Sequence, residues 1–129
     1  MNTSNSTFDL SSYINFCLNC HRICLQTAFP YRIDADGGNL KPDQLRLMMN
    51  CAEICQTCAN FMLSHSAFCT QLCGVCSVVC DFCAVMCKRI GGMDECAQIC
   101  GSCAGNCRIA MSNIYWDSNL GKLTLSDSN

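Results

Sequence analysis

The chain has 129 residues, 16 of them Cys, with 8 Gly, 2 Pro, 3 Tyr and 1 Trp and a formal net charge of −2. That length supports one compact domain with a real core and is short for two. The slightly acidic balance leaves no basic patch to hold DNA or RNA. The Cys share stands above the roughly 8–10% that marks a disulfide scaffold, and is the feature the rest must explain.

Residues 1–7 read as a loose polar tail. Residues 1–12 carry no Lys, no Arg and no continuous apolar run, so the expectation is a chain without a Sec or twin-Arg signal, in the cytoplasm, with its thiols reduced. A first helix is expected over about 8–29, stopped by Pro30. Tyr31–Lys41, with Asp34, Asp36, Gly37 and Gly38, reads as a polar loop. A second helix over about 42–64 opens on Pro42 and Asp43, both suited to a first turn. His65 and Ser66 offer a tight turn and a Ser cap for a third helix over about 67–90. Gly91 and Gly92 end it, just after Lys88 and Arg89. A fourth helix is expected over about 93–115, with 116–129 as a C-terminal tail. Short connections between helices of similar length favour an all-α, antiparallel four-helix bundle over residues 8–115. The third segment is about long enough to span a bilayer. Gln71, Asp81 and its many Cys argue instead for a soluble chain with no membrane partner.

The Cys fall at Cys17, Cys20 and Cys24 in the first helix, then at Cys51, Cys55 and Cys58 in the second. The third carries Cys69, Cys73, Cys76, Cys80, Cys83 and Cys87, and the fourth Cys96, Cys100, Cys103 and Cys107. Steps of three and four alternate, which is the seam that faces the centre of a bundle. An ordinary bundle places Leu and Ile there, since they pack and propagate helix better. Here each helix points a column of sulfur inward, and the third column is about 27 Å long at about 1.5 Å per residue. Bridges between i and i+4 would constrain nothing beyond one turn and suit disulfide geometry badly. Reduced thiols in such columns point to a Cys-lined core that holds metal.

CxxxC pairs recur on all four helices, from Cys20 and Cys24 to Cys103 and Cys107. Soft thiolate selects Cu(I), zinc or the iron of Fe–S clusters. Zinc wants closed tetrahedra of four thiolates, which parallel columns would supply awkwardly. The ferredoxin spacings are absent, and a thioredoxin-like CxxC lacks its βαβ setting. Cu(I) accepts two or three sulfurs with little geometric demand. One monovalent cation per thiolate also leaves the filled core neutral. With bridging sulfurs, capacity should lie between about 8 and about 16 Cu(I) per chain.

The words CLNCHRIC, CAEICQTC, CTQLCGVCSVVCDFCAVMC and CAQICGSCAGNC resemble the bacterial copper storage proteins, over about residues 8–115. That resemblance implies a sulfur-lined four-helix bundle filled by many Cu(I) ions, bound mainly by CxxxC pairs, in a protein that oligomerises. The lack of an export signal resembles the cytosolic branch. Members of that branch often carry His near the mouth, and this chain has 2 His.

Continuing the seams past the last Cys brings Met62, His65 and Met111 to one end of the bundle and Met48 and Met93 to the other. These are soft groups able to pass Cu(I) inward, although Met at a bundle end also serves as core filling. His65 serves equally as a helix-end residue. His21, beside Cys20, fits a supporting or surface role. On the third helix Val75, Val78, Phe82 and Val85 point away from the sulfur, which suggests a homo-oligomeric contact through its outer face. No paired carboxylates, nucleophile–base pair or phosphate-cradling loop appears, so no enzyme is expected. The expected function is copper storage, sequestration and detoxification, with exchange through a copper chaperone. Its alternatives are a zinc or cadmium thiolate buffer and a thiol redox sensor.

Overall fold

The computed structural model describes residues 10–33 and 40–126. The expected tail over residues 1–7, the expected helix start at Phe8 and the loop positions Asp34, Asp36, Gly37 and Gly38 lie outside the described residues, as do residues 127–129. Four helices follow one another: α1 (Ser11–Ile33), α2 (Pro42–Leu63), α3 (Cys69–Ile90) and α4 (Asp94–Asn113). Each packs on its neighbour in sequence, and α4 closes the ring against α1. The chain then forms an antiparallel hairpin, β1 (Ile114–Asp117) and β2 (Lys122–Leu125).

Local chemistry sets the helix ends. Pro42 opens α2 where a missing N–H costs little, and the Gln44 side-chain oxygen accepts the Lys41 N–H at 2.9 Å. Beyond α2 the chain reverses through His65, whose φ of 54° lies in the left-handed region. The Ser66 hydroxyl then accepts the Phe68 N–H at 3.0 Å as α3 begins. At the far end of α3, Gly91 and Gly92 take φ of 84° and 74°, which a residue with a Cβ would resist.

Two expectations are corrected. Pro30 does not stop the first helix, which continues to Ile33 with Pro30 inside it. Pro30 is exposed and sits in the last turn, so its ring leaves only the Gln26 carbonyl without a helical partner, and water reaches that side. The expected C-terminal tail over 116–129 is, in its described part, 116–126, not loose. The fourth helix ends at Asn113 and the hairpin follows at once. Its turn is held by Asp117 Oδ1, which accepts the N–H groups of Asn119 and Leu120 at 2.9 and 3.2 Å, and by Gly121 at φ 66°. Pairing of Ile114 with Leu125 and of Trp116 with Leu123 puts these apolar groups on one face, where Ile114 and Leu123 are buried.

The core is mostly sulfur. Every Cys is buried, and the interior is otherwise made of Ala28, Ala52, Ala59, Ala104 and Ala110 and a few larger groups such as Leu10, Ile23 and Met48. The small Ala side chains let the helix backbones approach. Leu18, Leu25, Leu45, Leu47, Ile54, Leu72 and Ile99 pack half-buried along the flanks of the seam. Between helices, His21 Nδ1 donates to the Ala52 carbonyl at 2.7 Å, and Arg108 meets Asp81 at 2.6 Å. The second pair is half exposed and contributes at most about 1 kcal/mol.

Pro30→Ala returns a donor to the Gln26 carbonyl and should stabilise the metal-free protein by about 1 kcal/mol, a rise in Tm of roughly 4 °C. A lowered Tm would mean that the ring packs in a way its exposure does not suggest.

Candidate metal centre

The sulfur column is continuous from one end of the bundle to the other. Near the start of α1, Cys17 and Cys107 lie 4.0 Å apart, and Cys58 and Cys73 3.7 Å. In the middle, Cys55 stands 3.7 Å from Cys76, 3.5 Å from Cys80 and 3.9 Å from Cys103. Cys51 meets Cys80 at 3.6 Å and Cys100 at 3.8 Å. Towards the end of α1, Cys24 lies 3.5 Å from Cys100 and 3.9 Å from Cys96. All sixteen thiols are free, and these separations are far beyond the roughly 2.05 Å of a disulfide.

Four sets of four sulfurs each fall within 4.8 Å of one another: Cys17, Cys76, Cys103 and Cys107; Cys20, Cys24, Cys51 and Cys100; Cys20, Cys55, Cys80 and Cys103; and Cys24, Cys83, Cys96 and Cys100. Cys20, Cys24, Cys100 and Cys103 each belong to two sets. Such sulfurs can bridge, so these positions form one network and not four separate sites. Each set draws on three or four helices, which spacing along a single helix could not reveal. Of the CxxxC pairs, Cys76 with Cys80 and Cys96 with Cys100 are in direct sulfur contact, at 3.8 and 3.9 Å. Cys58, Cys69, Cys73 and Cys87 stand outside the four sets.

The quartets are more compact than parallel columns suggested, and a single one has the ligand count of a tetrahedral zinc site. Charge decides against filling the column that way. A divalent ion held by four thiolates leaves surplus negative charge in a buried core, where desolvation costs several kcal/mol per ion. A monovalent ion per thiolate leaves none.

The soft groups outside the Cys set divide sharply. Met48, Met62 and Met93 are buried at the ends of the column. Met111 is 44% exposed and its thioether lies over Gly74, because the inward seam leaves Cys107 by a step of three, to the buried Ala110. His65 is exposed on the turn after α2 ends at Leu63, and its Nδ1 accepts the Leu123 N–H at 3.1 Å. Neither Met111 nor His65 is brought into the column. His21 turns its Nδ1 to the α2 backbone, in the supporting position expected of it. The hairpin beside His65 is the part of this end that sequence reasoning missed. Its signal was the alternation in IYWD and KLTL around a turn containing Gly121.

Burial and shared hydrogen bonds set the protonation of the thiols. Cys69 is held above its ordinary value of 9.0, first by its hydrogen bond with Cys73 and then by burial. Cys73 is raised too, first by its bond with Cys58. Deeper in the column the protons are shared. The bond to Cys20 keeps Cys100 protonated, while Cys20 and Cys96 are pulled down by their bonds with Cys100.

A model of the copper storage protein family matches residues 6–112. The chain belongs to the copper storage protein family. Among curated proteins none matches it. Its fold is similar to the crystal structure of the Nmul_A1745 protein from Nitrosospira multiformis, with a TM-score of 0.72 and 46% identity over 80% of this chain and 94% of that one. It is also similar to the Cu(I)-bound copper storage protein BsCsp3, with a TM-score of 0.71 and 25% identity over 78% of this chain and 95% of that one.

The raised thiols give the family member a pH signature. Above about pH 9 the unfolded chain loses thiol protons that folded Cys69 and Cys73 still hold, so the unfolded state binds fewer protons and stability falls as pH rises. Cys58 and Cys96, lowered to about 6 and about 4, act in the opposite sense below pH 9, so the Tm of the reduced, metal-free protein should rise from about pH 6 towards pH 9 and decline above it. A level profile to about pH 11 would contradict the assignment.

Proposed function

We propose that this copper storage protein holds many Cu(I) ions per chain on its Cys thiolates, as a cytoplasmic, non-catalytic store that also detoxifies. The observation that carries this reading is the sharing of Cys20, Cys24, Cys100 and Cys103 between quartets, since a shared sulfur suits ions bridged in series. The proposed ligands are all sixteen Cys, with Met48, Met62 and Met93 as soft neighbours at the column ends. Exchange of one proton for one Cu(I) leaves the charge of the buried core unchanged, and one Cu(I) per thiolate makes the filled core neutral. Donor and recipient would be a copper chaperone; the charge balance offers nothing to nucleic acid, and the reading includes no membrane partner.

Anaerobic titration of the reduced protein with Cu(I), against a chromophoric chelator, tests this directly. Thiolate-to-copper absorbance should break between about 8 and about 16 ions per chain, with roughly one proton released per thiol ligated. Metal-free protein should already be helical, with copper adding thermal stability. Saturation at one to four ions, or tighter retention of zinc, would reject storage in favour of a zinc buffer or a redox sensor.

The same reading includes a homo-oligomer. Val75, Val78, Phe82 and Val85 are 50–63% exposed along one face of α3, a stripe of large apolar groups that water solvates poorly. Replacing Val78 and Phe82 with Glu should lower the mass in solution. An unchanged mass would remove this face as the contact.

A further inference from the structure

The two ends of the sulfur column are closed by different means. At the end formed by the start of α1 and the end of α4, a separate piece of chain packs against the bundle. The hairpin leaves α4 at Asn113 and turns Ile114 and Leu123 into the same continuous core as Leu10, Met62 and the Cys. It is tied down on both sides. The Leu123 N–H donates to His65 Nδ1 at 3.1 Å, on the turn between α2 and α3. The Asn113 amide donates to the Tyr13 hydroxyl at 3.4 Å, which fixes the root of the hairpin to α1. The Ser126 N–H returns to the Asn113 carbonyl and closes the strand pair. The hairpin also lies beyond residues 6–112, the part matched to the family. At the other end, Met48 and Met93 are buried, Tyr31, Leu40 and Ile90 pack half-buried beside them, and among the described residues no strand crosses it.

We infer that the C-terminal hairpin is a plug, which seals the mouth beside Cys69 and Cys107 and directs traffic into and out of the column to the end closed by Met48 and Met93. A paired strand with two buried anchors and a latch to another loop opens far less often than separate side chains such as Met48 and Met93, which change rotamer without breaking a hydrogen bond. His65 acts here as the acceptor that holds the plug. That explains why a soft, exposed residue at a mouth faces the hairpin backbone and not the sulfur. The inference rests on storage only for the identity of what travels; the plug itself is a property of the metal-free chain.

Pulsed alkylation of the reduced, metal-free, full-length protein, resolved Cys by Cys by peptide mass spectrometry, tests the plug without copper. In the native chain Cys87 and Cys96 should react ahead of Cys69 and Cys107. Gly121→Val forces a β-branched residue to φ near 66° in an exposed turn with open space around it, so it loosens the hairpin and spares the bundle. Leu123→Asp removes a buried anchor. Either variant should speed Cys69 and Cys107 about tenfold relative to Cys87 and Cys96. If Leu123→Asp loses its helical circular dichroism, Gly121→Val carries the test alone. Equal acceleration at both ends would mean that the hairpin only adds stability, and would overturn the plug. So would no change, or native Cys69 and Cys107 reacting first. In the copper-loaded protein, the variants should keep the native capacity and give up Cu(I) to a chelator faster. Failure to load copper at all would sink the storage reading while leaving the labelling result to judge the plug.

Discussion

Everything in this molecule follows from burying sixteen thiols side by side. A thiol is one of the few polar groups for which this is tolerable, because S–H is a weak donor and the side chain behaves as a small hydrophobe. A hydroxyl in each of these places would need a partner or cost roughly 1–3 kcal/mol. The sulfurs satisfy one another, at 3.5 to 4.0 Å, in a chain that crosses all four helices. Giving the central seam to Cys removes the Leu and Ile that normally hold a bundle together. Those residues reappear on the flanks, half-buried beside the column, while Ala between the helices keeps the backbones close enough for the sulfurs to meet.

Charge is the second face of the same constraint. In the empty core the thiols share protons: Cys69 and Cys73 hold theirs, first through bonds with Cys73 and Cys58 and then through burial, while Cys20 and Cys96 are pulled down by their bonds with Cys100. A cargo that replaces each proton with one positive charge leaves the electrostatics of the core unchanged at every stage of filling. No divalent ion does this in four-sulfur sites, whatever the geometry of a single quartet. Family membership and charge therefore point the same way, from unrelated observations.

The bundle and its sulfur seam were legible because steps of three and four residues leave only one helical face for Cys to occupy. The quartets were not, since they depend on how far the helices slide and rotate against one another. Met62 continued its seam as expected, but the seam beyond Cys107 turned in at Ala110 and left Met111 outside. His65 was rightly placed in the turn after the second helix, but the seam extrapolated to it stops with the helix at Leu63. Pro30 was read as a stop because an interior Pro breaks a helix, yet in an exposed last turn the loss is one carbonyl. The hairpin was hidden by its polar neighbours: only Ile114 and Leu123 are buried, too few to stand out without the bundle end they cover.

The connections between α2 and α3 and between α3 and α4 are only a few residues long, and each helix packs on the next in sequence. Contacts that local are made early: helical bundles fold in microseconds to milliseconds, whereas disulfides form over seconds to hours. A chain this rich in Cys, folding through distant strand pairings, would hold its thiols open to one another long enough to cross-link at random. Here the topology wins that race. The order of helices along the chain is thus itself a defence against oxidation, exercised once, during folding, before any cargo arrives.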